Sequence, residues 1–316
     1  AQEVLSLGDY LRWGIEDNRS LRGQRSEIQK SKYAISENRA KLLPQINGVA
    51  NFNDNFDPPV SVTDGSAYDK PYNVTQTLQY NAAAGLQLQM PLYNQTVYTA
   101  LSISKVLDEI SRLSYEKARE DLMMQIAKMY YLGQATAEQI TLVKANIARL
   151  EELRDITVAF YDNGMAMEVD VKRVNINLEN LQVQYDNAQA MLAQQLNMLK
   201  YVMDYPAEKD ITLEPVNAET IAPIELTGLS ENLYELQLLQ SKSDLAERQK
   251  KMISHGYIPS LTLTGNWMYT AYTDKLHHWF HSGPSNHWYR SYGLGLALRV
   301  PIFDGLDKRY KIRKAK

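Results

Sequence analysis

The spacing of apolar residues changes period several times along the chain. From Leu7 to Lys41 apolar side chains (Leu11, Ile15, Leu21, Ile28, Ala34, Ile35) recur at helical intervals among many charges, which predicts one helix. It should end before Leu42, because Pro44 pushes Leu43 into an extended conformation. From Gln45 to Phe56 the period is two: Ile46, Gly48, Ala50 and Phe52 share one face, and Gln45, Asn47, Val49, Asn51 and Asn53 the other. A polar loop is expected over 57–79, and a return strand over Tyr80 to Leu92. The same period returns after Ile258. Leu261, Leu263, Gly265, Trp267 and Tyr269 oppose Ser260, Thr262, Thr264, Asn266 and Thr270; then Leu294, Leu296, Leu298, Val300 and Ile302 oppose Gly295, Ala297 and Arg299.

The two strand regions are copies of one motif. LLPQINGVANF with AAAGLQLQMPLY corresponds to IPSLTLTGNWM with YGLGLALRVPIF. Pro44 matches Pro259, Asn51 matches Asn266, Phe52 matches Trp267, Gly85 matches Gly295 and Pro91 matches Pro301. Internal repeats reveal an architecture before single elements do.

Between the copies lies helix. Asn94 to Phe160 contains no proline and one glycine, Gly133, and at 1.5 Å per residue predicts a helix of roughly 100 Å. Tyr161-Asp-Asn-Gly-Met165 breaks it, with residues that tolerate positive φ. Val171, Val174, Leu178, Leu181, Tyr185, Ala188, Leu192, Gln195, Leu199 and Val202 then alternate at three and four, a coiled-coil seam. Residues 204–228 read as an irregular belt, and Leu229 to Gly256 as a further helix. The chain therefore divides into a helix (1–41), a β-hairpin (42–93, loop 57–79), a helical hairpin (94–203, tip 162–168), the belt (204–228), a second helix (229–257), a second β-hairpin (258–303, loop 273–289) and the start of another helix (304–316).

Composition narrows the function. Lys and Arg (34) nearly balance Asp and Glu (37) with no basic block, which argues against a nucleic-acid surface. The absence of cysteine removes disulfides, thiolate metal sites and thiol nucleophiles. No apolar run reaches the ~20 residues of a membrane helix, but barrel strands alternate and escape that test. Ala-Gln-Glu without an initiator Met reads as a start trimmed by signal-peptide removal. No phosphate loop, G-x-S-x-G or H-E-x-x-H motif is present, so neither catalytic residues, a cofactor nor a metal is expected.

Alternation with a polar partner face is the mark of a membrane β-barrel; a soluble sheet with one buried face alternates as well. Four strands in two matched hairpins, with Tyr and Trp near their ends, favour the membrane. Leu86, Leu88, Met90, Leu261, Leu263, Trp267, Leu294, Leu296 and Leu298 should then face lipid, and Gln87, Gln89, Thr262, Thr264, Asn266 and Arg299 the lumen. Membrane barrels begin at about eight strands, so protomers must pool theirs, and a trimer of four-stranded units supplies twelve. His277, His278, His281 and His287 crowd the second loop; an exposed aromatic loop explains them better than a metal site.

At this point the chain resembles the TolC family of bacterial outer-membrane efflux proteins. The resemblance rests on the strand-to-helix turns LQMPLYNQ and LRVPIFDG, the strand openings LLPQI and YIPSL, and the tip YDNGMAMEVDVKRV. It implies a mixed α and β membrane protein: a homotrimer with a 12-stranded outer-membrane β-barrel set in lipid, continued by long antiparallel coiled-coil helices as a periplasmic α-barrel. It further implies a passive exit duct for small molecules or secreted polypeptide, whose tips dock on a periplasmic adaptor (membrane fusion) protein serving an inner-membrane RND or ABC-type transporter. Asp162, Asn163, Gly164 and Met165 would touch that adaptor, and Asp170 would brace the next helix. One departure stands out: family repeats each end in a helical hairpin, and the second repeat here stops at Lys316. The expectation is a fragment or a cut chain, so no gate residues are transferred. The competing reading is a periplasmic coiled-coil scaffold or binding protein without a channel.

Overall fold

The computed structural model describes residues 4–16, 18–58, 60–64, 72–76, 78–215, 233–275 and 288–315. The elements in order are β1 (Val4–Leu5), α1 (Leu7–Glu16), α2 (Arg19–Ala40), β2 (Gln45–Asp54), β3 (Val60–Asp64), β4 (Tyr72–Gln76), β5 (Tyr80–Tyr93), α3 (Gln95–Asp162), α4 (Glu168–Val202), β6 (Thr212–Leu213), α5 (Tyr234–His255), β7 (Ser260–Thr273), β8 (Trp288–Arg299) and α6 (Asp307–Lys314). They fall into two compact units, 1–30 with 109–240, and 31–108 with 241–316. Among the described residues no helix is long and apolar enough to cross a membrane.

The first unit is built on a buried cluster of Tyr10, Ile126, Tyr130, Leu199, Met203 and Ile211, contributed by α1, α3, α4 and the segment after α4. Tyr10 donates from its hydroxyl to the Thr212 carbonyl at 3.2 Å, and its ring lies 5.5 Å from that of Tyr130. Beside this cluster β1 and β6 pair in parallel, Val4 with Thr212 and Leu5 with Leu213. The Gln134 side-chain amide donates to the Glu214 carbonyl at 2.7 Å, anchoring the same segment to α3. Along α4 the residues of the heptad seam, from Val171 to Val202, are buried or half-buried, and most residues between them are exposed. The 3.5-residue period of the apolar positions produces that face.

The sequence pattern predicted one helix over Leu7 to Lys41; the structure has two. Asn18 makes the break. Its Oδ1 accepts from the Ser20 and Leu21 N–H groups at 3.0 and 3.3 Å, the bonding of an N-cap. Its Nδ2 donates to the Val202 carbonyl at 3.1 Å, so the cap is also tied to the end of α4.

The second unit holds an antiparallel four-stranded sheet in the order β2-β5-β7-β8. Each hairpin pairs within itself, and β5 joins β7 across the repeats, with Gln87 opposite Asn266 and Leu88 opposite Gly265. The same unit holds helix segments. Ser31 Oγ donates to Asp108 Oδ1 at 2.7 Å between α2 and α3, and Thr99 Oγ1 meets His255 Nδ1 at 2.7 Å between α3 and α5. The repeats also match in how their strands turn into helices. Asn94 Oδ1 accepts from the Thr96 and Val97 N–H groups at the start of α3. Asp304, its counterpart, accepts from the Leu306 and Lys308 N–H groups ahead of α6. The Lys308 ammonium, 3.0 Å from Asp304 Oδ2, holds that carboxyl below its ordinary range.

Residues 57–79 were expected to be a polar loop. Instead β3 and β4 form a second antiparallel ladder there, with Val60 opposite Gln76 and Val62 opposite Val74. The period-two pattern Val60-Ser-Val-Thr was present in the sequence; Pro58, Pro59 and Gly65 around it disguised it as irregular. Of the expected helix from Leu229 the structure describes α5, Tyr234–His255; residues 229–232, and 216–228 of the expected belt, lie outside the described residues.

Candidate functional site

The register of the sheet sorts its side chains into two faces. Leu86 stands opposite Trp267, Leu88 opposite Gly265 and Met90 opposite Leu263. Leu294 stands opposite Gly265, Leu296 opposite Leu263 and Leu298 opposite Leu261. All nine residues assigned to lipid from the sequence thus share one face, and β2 adds Ile46, Ala50 and Phe52 to it. On the other face Gln87 stands opposite Asn47 and Asn266, Gln89 opposite Gln45 and Thr264, and Thr262 opposite Ala297. Arg299, opposite Ser260, shares that face at the end nearer the helices. Period two makes this sorting inevitable once the register is set.

Each face has its own order. The apolar face is aliphatic toward the helices. Toward the loops it is aromatic: Phe52 stacks on Tyr80 with centroids 6.2 Å apart, and Trp267 meets Tyr269 edge-on at 5.7 Å. The polar face is a field of amides and hydroxyls. Asn53 Nδ2 donates to Asn81 Oδ1 at 2.8 Å across β2 and β5, and Thr264 Oγ1 donates to the Gly295 carbonyl at 3.3 Å. Arg299 is the one ionisable cation or carboxylate there among the described residues.

Ile46, Leu86, Leu88, Trp267, Tyr292 and Leu294 wall a recess of about 460 Å³ on the apolar face. Its floor is Gly265, where a Cβ would lie 3.0 Å from Leu294 Cδ2 and 3.3 Å from Leu88 Cβ. Tyr292 was not among the expected site residues, although it stands two residues before Leu294 and so shares its face.

The turn between α3 and α4 is the second candidate. Gly164 adopts φ +73°, the left-handed region. Its N–H donates to the Tyr161 carbonyl at 2.9 Å, and the Met165 N–H to the Phe160 carbonyl at 2.8 Å, which together make a Schellman ending. Asn163 Nδ2 donates to the Ala159 carbonyl at 2.7 Å. Asp170 reaches back so that its Oδ2 accepts from the Met167 N–H at 3.2 Å, bracing the start of α4. Asp162, Asn163, Gly164 and Met165 are all exposed, and Met165 and Met167 retain 69% and 71% of their surface. A rigid turn thus carries apolar side chains into solvent.

Among the described residues no three His, Cys, Asp or Glu side chains are grouped to hold a metal. His277, His278, His281 and His287 lie outside the described residues.

A sequence model of the outer membrane efflux protein family matches residues 15–203. The chain belongs to that family. It is 24% identical over 286 residues to the outer membrane protein TolC of Vibrio cholerae, covering 86% of this chain and 59% of that one. It is 20% identical to TolC of Escherichia coli, covering 79% of this chain and 49% of that one. The toluene efflux pump outer membrane protein TtgC of Pseudomonas putida is 24% identical over 83% of this chain and 53% of its own. The chain thus spans about half to three-fifths of these relatives. Among solved structures it resembles CusC (TM-score 0.79, 14% identity, 99% of this chain and 70% of that one). It also resembles the outer membrane protein VceC of Vibrio cholerae (TM-score 0.72, 15% identity, 98% and 71%). The Campylobacter jejuni CmeC outer membrane channel shares the fold too (TM-score 0.73, 18% identity, 98% and 64%).

Proposed function

We propose that this chain supplies one protomer's share of an outer-membrane exit duct, passively conducting small molecules or secreted polypeptide out of the cell. The observation that carries the reading is the two-faced sheet with open edges. Among the described residues strands β2 and β8 each pair on one side only, and long unpaired edges are templates for pairing with another chain. Joining β8 of one copy to β2 of the next closes the ladder, and three copies bring twelve strands, within the range of membrane barrels. The apolar face then meets lipid, with its aromatic half at the interface. Gln87, Gln89, Thr262, Thr264, Asn266 and Arg299 then line the water. The hairpins over 42–93 and 258–303 are the membrane part in this reading. The helical segments and the belt over 204–228 form the periplasmic extension.

The α3–α4 turn is the partner-docking end. Its exposed Met165 beside Asp162, Asn163 and Gly164 suits an apolar contact held in one geometry, with Asp170 fixing the backbone. A periplasmic adaptor protein is the partner this implies, serving an inner-membrane RND or ABC-type transporter. Its similarity to outer membrane proteins of efflux pumps, TtgC among them, supports the reading.

The test uses the lack of cysteine. Single cysteines are placed along β2 and along β8, and oxidised in membranes in pairwise combinations. A duct yields covalent trimers for one register of β2 against β8 and needs detergent for extraction. Recovery of uncross-linked protein in detergent-free buffer refutes the duct and leaves a periplasmic scaffold.

A further inference from the structure

The apolar face of the sheet carries one feature that a uniform lipid-facing wall does not need. Arg290 stands opposite Tyr269 and therefore on the same face as Trp267, Tyr292 and Leu294. Its guanidinium carbon lies 5.6 Å from the centroid of the Tyr292 ring. That ring is also a wall of the Gly265 recess. A fixed cation therefore sits at the loop-side rim of an apolar hollow, held against the aromatic side chain that separates them.

We propose that this recess and Arg290 form a binding site for one anionic lipid, with an acyl chain over Gly265 and the phosphate on the Arg290 guanidinium. The proposal rests on the reading that this face meets the membrane. Three observations select the occupant. The recess is walled by aliphatic and aromatic side chains, which suits a hydrocarbon chain. At its floor Gly265 carries no side chain between its neighbours in register, Leu88 and Leu294, whose side chains close over it. Arg290 has no ion pair among the described residues; Asp54, also on this face, lies three strands away and accepts from Gln79 Nε2 at 2.9 Å. A cation on the lipid face is tolerated close to the headgroup level rather than at mid-depth. Phosphate takes a guanidinium in a geometry that ammonium does not reproduce. Arg290 precedes Leu294 by four residues, about 13 Å of strand, so a headgroup on one and the upper part of a tail on the other fit a single lipid.

The experiment uses the full chain in nanodiscs of zwitterionic phosphatidylcholine, with Trp13, Trp279 and Trp288 replaced by Phe so that Trp267 reports alone. Dibrominated phosphatidylglycerol or dibrominated phosphatidylcholine is titrated in, and quenching of Trp267 is read. The site predicts that the anionic lipid half-quenches at about fivefold lower mole fraction, the preference one basic side chain near a surface provides. Arg290→Gln should erase that difference while leaving phosphatidylcholine quenching unchanged, and Arg290→Lys should keep part of it. Equal quenching by both lipids in the unsubstituted chain, or a preference that survives Arg290→Gln, overturns the site while the membrane face stands. Absence of quenching by either lipid overturns the membrane face itself.

Discussion

Gly14 of α1 lies against Ile126 of α3 so closely that a Cβ at position 14 would sit 2.5 Å from Ile126 Cδ1. Ile126 is fully buried, with Met203 also within reach of that Cβ, so it has nowhere to move. Alanine in place of glycine gains about 1 kcal/mol of helix propensity, but overpacking a filled core costs about 1–3 kcal/mol. The second effect should win. Gly14→Ala is expected to lower the urea midpoint, and adding Ile126→Val, which removes the clashing methyl, should recover part of the loss. A midpoint raised by Gly14→Ala alone would show that the contact is loose.

The tip should respond to backbone chemistry and not to bulk. Nothing lies within 4 Å of a Cβ built on Gly164, so Gly164→Ala meets only the left-handed conformation, a cost of about 1–2 kcal/mol. Hydrogen exchange at the Gly164 and Met165 amides should accelerate about fivefold or more, with the rest of α3 unchanged. Gly164→Asn, which tolerates that conformation, should change exchange far less.

Alkaline pH should loosen the first unit through Tyr10. Burial, reinforced by the neighbouring Tyr130 and Tyr205, pushes its hydroxyl up to about 12. An unfolded tyrosine titrates near 10, so the unfolded chain releases this proton first. Tyr10's contribution is therefore complete below pH ~10 and is lost as pH rises toward ~12. Tyr10→Phe removes that slope and forfeits the hydrogen bond to Thr212, about 1 kcal/mol at neutral pH. Urea midpoints for the two proteins should be furthest apart at neutral pH and converge above pH 11; a constant gap would rule Tyr10 out as the source.

In the sheet, Gly85 has the least room. A Cβ there would come 2.8 Å from Met268 Cα, and the Trp267 carbonyl oxygen blocks the same space. Backbone cannot rotate aside as a side chain does, so Gly85→Ala must spread β5 from β7. A loss of at least about 2 kcal/mol is expected, read as a lower melting temperature of the β-sheet circular dichroism. Gly48→Ala is the control, since open space surrounds that position, and it should leave the melt unchanged.

Much of the local structure was legible because it is periodic. Alternation at Leu261, Leu263 and Trp267 against Thr262, Thr264 and Asn266 identified the strand and its faces without any knowledge of its neighbours. The heptad seam of α4 and the Asn163-Gly164 break were equally visible. The short ladder of β3 and β4 was legible too, in Val60 and Val62, but turn-forming residues around it outweighed that signal. The break at Asn18 was harder: asparagine is a good N-cap, but the pattern of Leu11, Ile15 and Leu21 continues across it. The bond from Asn18 to the Val202 carbonyl, 184 residues away, favours the cap over a continuous helix.

By itself the sequence determined the long strands β2, β5, β7 and β8 and the helical hairpin between the copies, which of their side chains share a face, and that the two hairpins are copies. These follow from spacing along one chain, set by the 2.0 and 3.6 residue periods of the backbone. Only the tertiary structure decided that β5 pairs with β7. It also decided that Tyr10, Ile126, Leu199 and Met203 meet in one core, that β1 finds β6, and that Arg290 comes to rest on Tyr292 beside the hollow above Gly265. Those contacts join residues whose separation carries no period; they are settled by close packing and by the demand that buried polar groups be bonded.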